Sequence, residues 1–229
     1  MTDSTHTPPD PNERREDRER MVRDQIARRG LVDERVLDAM HRIPRERFVP
    51  PRYAALAYAD KALPVGPLQT ISQPFMVAYM TAAIQVESHH TVLEVGTGTG
   101  YQAAILACLA RRVHTIERDA GLSREAGRRL GQLGIENVEL HVGDGSTGYR
   151  PASPYDRIIV TAAVPRVPDE LVDQLTDGGI LVAPVGGRAE QTLVRVRKQP
   201  HAITRTYLLA VRFVPLTGQS GFDFDSDER

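Results

Sequence analysis

The residues with the most chemical content lie in Thr91-Val92-Leu93-Glu94-Val95-Gly96-Thr97-Gly98-Thr99-Gly100-Tyr101. A short apolar run carries one carboxylate and enters a loop with glycine at every second position. A helix pattern begins at Tyr101. Strand, glycine loop and helix start together let a ligand lie against bare backbone. A dinucleotide fingerprint spaces its glycines G-x-G-x-x-G and sets pyrophosphate on the helix N-terminus. Here the spacing is G-x-G-x-G, and Tyr101 stands where the third dinucleotide glycine would be. The pattern points to a nucleoside ligand without pyrophosphate, S-adenosyl-L-methionine (AdoMet) first among them. A plain tight turn, or another nucleotide, is the competing reading. Within the loop, Gly96, Thr97, Gly98, Gly100 and Tyr101 are the candidate cofactor contacts.

Carboxylates at neighbouring strand ends extend this reading. Glu94 precedes the loop, where it can pair with a ligand ammonium. Glu117 ends the run Val113-His114-Thr115-Ile116-Glu117. It falls about twenty residues after the first glycine, the place of a carboxylate that holds ribose hydroxyls. The alternative for Glu117 is a solvated strand end. Arg118 follows it and is grouped with the cofactor contacts. Asp144 lies in Gly143-Asp144-Gly145, where it can accept from an adenine amino group or simply close an Asp-Gly turn.

A second segment, Gln69-Thr70-Ile71-Ser72-Gln73-Pro74, precedes a helix pattern. Ser72 can cap that helix, with Pro74 in its first turn. Alternatively, its hydroxyl and the free N–H groups nearby can hold a carboxylate.

The elements that position these residues read clearly from residue 91 onward. Strands are expected at 91–95, 112–117, 137–142, 156–161 and 179–185, with helices at 101–110, 120–134 and 168–175. Such alternation is the mark of an open, mostly parallel sheet with helices on both faces. Strand patterns at 191–197 and 204–214 follow without a helix between them, which predicts an antiparallel addition at one edge. Upstream, a charged helix over 14–29 ends at Gly30, and Asp33 caps a second helix bearing Val36, Leu37 and Met40. Pro44, Pro50 and Pro51 break the next stretch, 63–68 reads as turns, and a helix runs from Pro74 to Gln85. Residues 13–222 are expected to form one domain. Its 13–90 part supplies N-terminal helices and the substrate cleft, and 91–222 the AdoMet-binding sheet. Residues 1–12 and 223–229 read as disordered tails.

Composition narrows the partners. The formal net charge is −1, which gives no reason to expect nucleic acid or an anionic membrane. The single cysteine, Cys108, rules out a disulfide within the chain and reads as a small core residue. There is no apolar leader or membrane-length run, so a cytoplasmic monomer is expected. The histidines at 41, 89, 90, 114, 141 and 201 look scattered, and no metal site is expected.

Several segments together resemble the protein-L-isoaspartate O-methyltransferases. They are Gln69 to Pro74, the loop at 92–101, Gly143-Asp144-Gly145, Ile159-Val160-Thr161-Ala162-Ala163, Pro184-Val185-Gly186 and Arg212-Phe213-Val214-Pro215-Leu216-Thr217. The resemblance spans roughly 20 to 217, and Thr70-Ile71-Ser72 distinguishes it from other AdoMet enzymes. One departure is Gly66-Pro67-Leu68, where many members carry Gly-x-Gly. The resemblance implies a Rossmann-like AdoMet-dependent methyltransferase α/β/α sandwich. It implies methylation of the α-carboxylate of L-isoaspartyl residues in aged proteins and peptides, with S-adenosyl-L-homocysteine as product. The ester then closes to a succinimide that opens partly to aspartate. Ser72 takes the functional serine's place. Thr70, Ile71, Gln73 and Val214 take substrate positions, and Gly143, Asp144, Gly145 and Thr217 extend the cofactor site.

The chemistry agrees with the residues. A carboxylate is ionised at pH 7 and needs no general base. The rival readings are a relative that methylates a dedicated peptide in biosynthesis, an NAD-linked oxidoreductase, and a catalytically silent binding module.

Overall fold

The strand and helix patterns fold into one main sheet, with a small hairpin beside it, in a computed structural model that describes residues 14–66 and 69–223. The expected tail at 1–12, the expected tail at 223–229 apart from Asp223, and the departure at Pro67 and Leu68 lie outside the described residues. The N-terminal helix is not continuous. Helix α1 (Arg15–Arg20) gives way to a π-helical stretch over Met21–Ile26 and a 3-10 turn over Ala27–Arg29. The wider turns bury Met21, Val22 and Ile26 together in one apolar cluster. Gly30 then stops the helix at φ 90°. Asp33 caps α2 (Glu34–Arg42), accepting from the N–H groups of Arg35 and Val36.

The stretch 63–68, expected to be turns, instead begins an antiparallel hairpin of β1 (Leu63–Gly66) and β2 (Gln69–Ile71). Its strands are three and four residues long, and Pro64 and Gly66 mask them as loop. The hairpin feeds α3 (Pro74–Ala83).

The main sheet begins with β3 (Thr91–Val95), followed by α4 (Tyr101–Ala107), β4 (Arg112–Glu117), α5 (Ala120–Gln132) and β5 (Val138–Val142). Then come β6 (Tyr155–Val160), α6 (Asp169–Asp173), β7 (Leu175–Gly186), β8 (Gln191–Gln199) and β9 (Ala202–Val211). The spatial order is β5-β4-β3-β6-β7-β8-β9. The first five strands in that order run parallel, and β8 and β9 add antiparallel at the edge, as the helix-free pair of strand patterns predicts. Chain order reverses between β3 and β6, so a crevice opens beyond their carboxyl ends.

Alternation along β3 divides the core. Leu93 and Val95 pack with Ile158, Val160 and the α6 residues Leu171 and Val172. Val92 packs on the other face with α3 residues Phe75, Met76 and Met80 and with Leu106 of α4. The architecture is therefore α/β/α. No helix among the described residues is long and apolar enough to cross a membrane.

Candidate active site

The crevice is a cavity of about 410 Å³. Three chain segments meet there: Gln69–Ser72, the glycine loop after β3, and 213–217. The loop reaches the cavity because its glycines adopt positive φ, 94° at Gly96, 53° at Gly98 and 89° at Gly100. Gly96 is also pinned. Its N–H donates to the Ile116 carbonyl at 2.9 Å, and its own carbonyl accepts from Thr161 Oγ1 at 2.7 Å. A Cβ at Gly96 would run into that threonine hydroxyl.

Glu94 lines the cavity from a fully buried position. Val92 shares its face of the sheet, as does Thr115 on the neighbouring strand. Thr97 and Thr115 hydroxyls are 2.6 Å apart, and Thr115 Oγ1 donates to Glu94 Oε2 at 2.5 Å. Oε1 has no partner among the described residues. Burial pushes the carboxyl up to about 8; the Thr115 bond opposes this, and the nearby Glu117 adds to it. A buried acceptor this poorly served stabilises a cation brought beside it.

Glu117 also lines the cavity. Its Oε2 accepts from the Gly98 N–H at 3.0 Å and its Oε1 from the Asp119 N–H at 3.1 Å. The carboxylate therefore braces the glycine loop while facing the space beside it. Arg118 donates to the Thr217 carbonyl at 3.1 Å, closing the 213–217 segment against the end of β4. That segment leaves the sheet after β9 and pairs with the end of β6. The Ala163 N–H donates to Val214 and the Leu216 N–H to Ala163, at 2.8 and 2.7 Å.

Ser72 is half-buried on the cavity wall. The helix-cap position belongs to Gln73, and no side chain caps α3. The capping reading of Ser72 is thus replaced, because the chain enters α3 one residue later. A residue that the sequence does not single out holds this corner. Arg45 is fully buried and donates from Nη2 to the Ser72 carbonyl at 2.7 Å and from Nε to the Ala57 carbonyl at 2.8 Å. Its guanidinium lies 4.9 Å from the Tyr101 ring centre. In Pro44-Arg45-Glu46-Arg47-Phe48 it looks like one exposed charge among others, and only burial of the neighbouring Phe48 hints otherwise.

Thr70, Ile71, Ser72, Glu94, Gly96, Thr97, Gly98, Tyr101, Glu117, Arg118, Gly145, Val214 and Thr217 all line the cavity. Four other expected contacts do not. Gln73 turns its amide away and donates to the Asp60 carbonyl at 3.1 Å. Gly100 serves the start of α4, packed against Ala126. Gly143 continues the backbone from β5, donating to the Glu117 carbonyl at 3.0 Å. Asp144 is occupied by its own chain: Oδ1 accepts from Ser146 N–H and Oγ, and Oδ2 from the Gln219 N–H at 2.8 Å. Burial alone would raise Asp144, but these donors hold it below the usual carboxylate range. His114 and His141 are not scattered but meet across β4 and β5, their ring nitrogens 3.1 Å apart.

The layered sheet, its reversal of strand order and the glycine crevice define a Rossmann-like methyltransferase fold. A solved protein-L-isoaspartate O-methyltransferase superposes with a TM-score of 0.80 at 30% identity, covering 89% of this chain and 67% of that one. A candidate enzyme of the same name from Plasmodium falciparum, solved with S-adenosyl-L-homocysteine, gives 0.76 at 23% identity, covering 87% and 98%. The sequence is closer still to other relatives. It is 50% identical over 208 residues to the protein-L-isoaspartate O-methyltransferase of Methanoculleus marisnigri, covering 91% of this chain and 94% of that protein. It is 52% identical over 194 residues to the one from Parvibaculum lavamentivorans, covering 83% and 87%. The family model for protein-L-isoaspartate(D-aspartate) O-methyltransferase matches residues 16–221, and the chain belongs to that family.

The buried carboxyl has a measurable signature. Glu94 ordinarily titrates near 4.5 but keeps its proton to about pH 8 in the fold. Between those values the folded chain binds more protons than the unfolded one. Its contribution to stability is therefore complete below pH 4.5 and is lost as pH rises towards 8. Glu94→Gln should remove this slope and raise the melting temperature of the ligand-free protein at pH 8. Parallel pH profiles for the variant and its parent would contradict the dry environment assigned to this group.

Proposed function

We propose that the protein transfers a methyl group from AdoMet to the free α-carboxylate of L-isoaspartyl residues in damaged proteins and peptides, starting their repair through a succinimide. The observation that carries this is the meeting of Thr70–Ser72 and the glycine loop in one cavity, in a chain of this family. The residues fit AdoMet. Glu94 offers an unpartnered acceptor for the ammonium, Gly96 and Gly98 bring no side chain into the cavity, and Glu117 faces the place of the ribose. Bound there, AdoMet supplies an electrophilic methyl group on a sulfonium.

The protein's own part is alignment and exclusion of water. Ser72 donates a hydrogen bond to one oxygen of the substrate carboxylate and leaves the other free to attack. It is not a nucleophile, and no general base is needed. Val214 and its neighbours offer backbone to the peptide. Arg118 and Arg188 also line the cavity and favour an anionic group there. Carboxylate and sulfonium both lose charge as they react, so a dry enclosure favours the transition state over the ions. Arg45 acts as a positioning residue, fixing the Ser72 backbone relative to Tyr101 and the loop.

Three outcomes test the reading. Glu117→Ala should weaken AdoMet binding by about 1.5–3 kcal/mol, the scale of hydrogen bonds to a charged group. Calorimetric titration with unchanged affinity in a folded variant would remove Glu117 from the site. Ser72→Ala should lower kcat/KM with AdoMet affinity nearly intact. Its stability should change by less than the roughly 0.5–2 kcal/mol that loss of a helix cap costs; normal kinetics would defeat the assignment. Substrate choice tests the activity itself. An isoaspartyl link leaves the α-carboxylate as a short branch, whereas aspartate carries its carboxylate one methylene further out. With both backbone and carboxylate held, the misplacement is about 1 Å and can cost on the order of 100-fold in rate. Base-labile methyl incorporation into a matched peptide pair should strongly favour the isoaspartyl form. Equal rates on the two, or none on either by AdoMet-competent protein, would overturn the proposal.

A further inference from the structure

We propose that His114, Glu139 and His141 form a binding site for a divalent transition-metal ion of the zinc class, separate from the methyl-transfer cavity. The parallel register of β4 and β5 sets His114 opposite Glu139 and Ile116 opposite His141. Side chains two apart along a strand share a face, so all three project to the same side. One ligand atom from each lies within 4.8 Å of the other two.

The distances suit a single ion. His114 Nδ1 is 3.1 Å from His141 Nε2 and 3.5 Å from Glu139 Oε2. A tetrahedral ion with nitrogen and oxygen ligands at about 2.0–2.2 Å separates its donors by roughly 3.3 Å. Two edges of the triangle are thus near their final lengths. The third closes by movement of Glu139, whose side chain is 44% exposed. Arg112 holds the other oxygen of this carboxylate, leaving Oε2 towards the imidazoles. Burial pushes the titration of both imidazoles down from their ordinary range.

The surroundings hold the imidazoles in place. The Tyr149 ring stacks on His141 at 3.7 Å, and the Tyr155 ring meets His114 edge-on at 5.8 Å. These rings fix the imidazoles on two sides, while Glu139 leaves access from solvent. Two imidazoles and one carboxylate match zinc, cobalt, nickel or copper rather than calcium or magnesium, which prefer oxygen ligands. Edge strand β5 would then be tied to β4, the strand that ends in Glu117. The alternative is a hydrogen-bonded histidine pair with a nearby ion pair and no affinity for metal.

Titration of the chelator-stripped full chain with zinc chloride, followed by calorimetry, separates the two. One ion should bind per chain. His141→Ala and the conservative Glu139→Gln should each weaken binding at least about tenfold, the least that disturbing a metal's ligand shell costs. His89→Ala should leave it unchanged, although it breaks the other histidine pair, His89 and His90. Saturating zinc should raise the melting temperature of the parent and of His89→Ala more than that of the two ligand variants. No binding, or undiminished binding in either ligand variant with native circular dichroism, overturns the site. Loss of binding in His89→Ala overturns it equally.

Discussion

The carboxyl of Glu94 has no counterion among the described residues and no exposure, yet it sits near the end of β3, where the sheet reverses its order. Such a group is costly unless it is protonated or given a cation. The arrangement around it makes sense on that basis. Thr115 and Thr97 supply one short hydroxyl chain to one oxygen, and the glycine loop arches over the strand end without side chains. The other oxygen has no partner among the described residues. A tight, fully satisfied core at this point would have been more stable and would have had no room for a nucleoside.

Much of the remaining architecture sets walls around that point. The hairpin at 63–71 delivers Ser72, and the 213–217 segment closes the far side by pairing with the end of β6. Arg45 joins two of these parts. A fully buried guanidinium is tolerated because two carbonyls accept from it and an aromatic ring lies beside it. Arg45 thereby ties the Ser72 backbone of the cleft to Tyr101 at the start of α4.

The parts legible in the sequence are those governed by short-range periodicity. Leu93 and Val95 alternate with Val92 and Glu94, and the strands and helices after residue 91 follow from such patterns. Gly30 and Asp33 act as the helix stop and start that their types imply. What escaped depends on chain returning from far away. That Gln219, 75 residues on, donates to Asp144 is one such contact. His114 and His141 meet only through the register of two strands. Strand β7 starts at Leu175, ahead of Asp177-Gly178-Gly179, because Leu175 finds Tyr155 as a partner despite that turn-like sequence. The hairpin of β1 and β2 is too short, and too rich in proline and glycine, for any periodicity to show.

The most direct measurement concerns the proton on Glu94. Titration of the protein with AdoMet near pH 7, in buffers of different ionisation heat, counts protons exchanged on binding. If the ammonium takes the place of the proton, close to one proton per site is released, and affinity rises as pH is raised from 7 to 8. Tight binding with no proton release, and affinity flat across that range, would contradict the account.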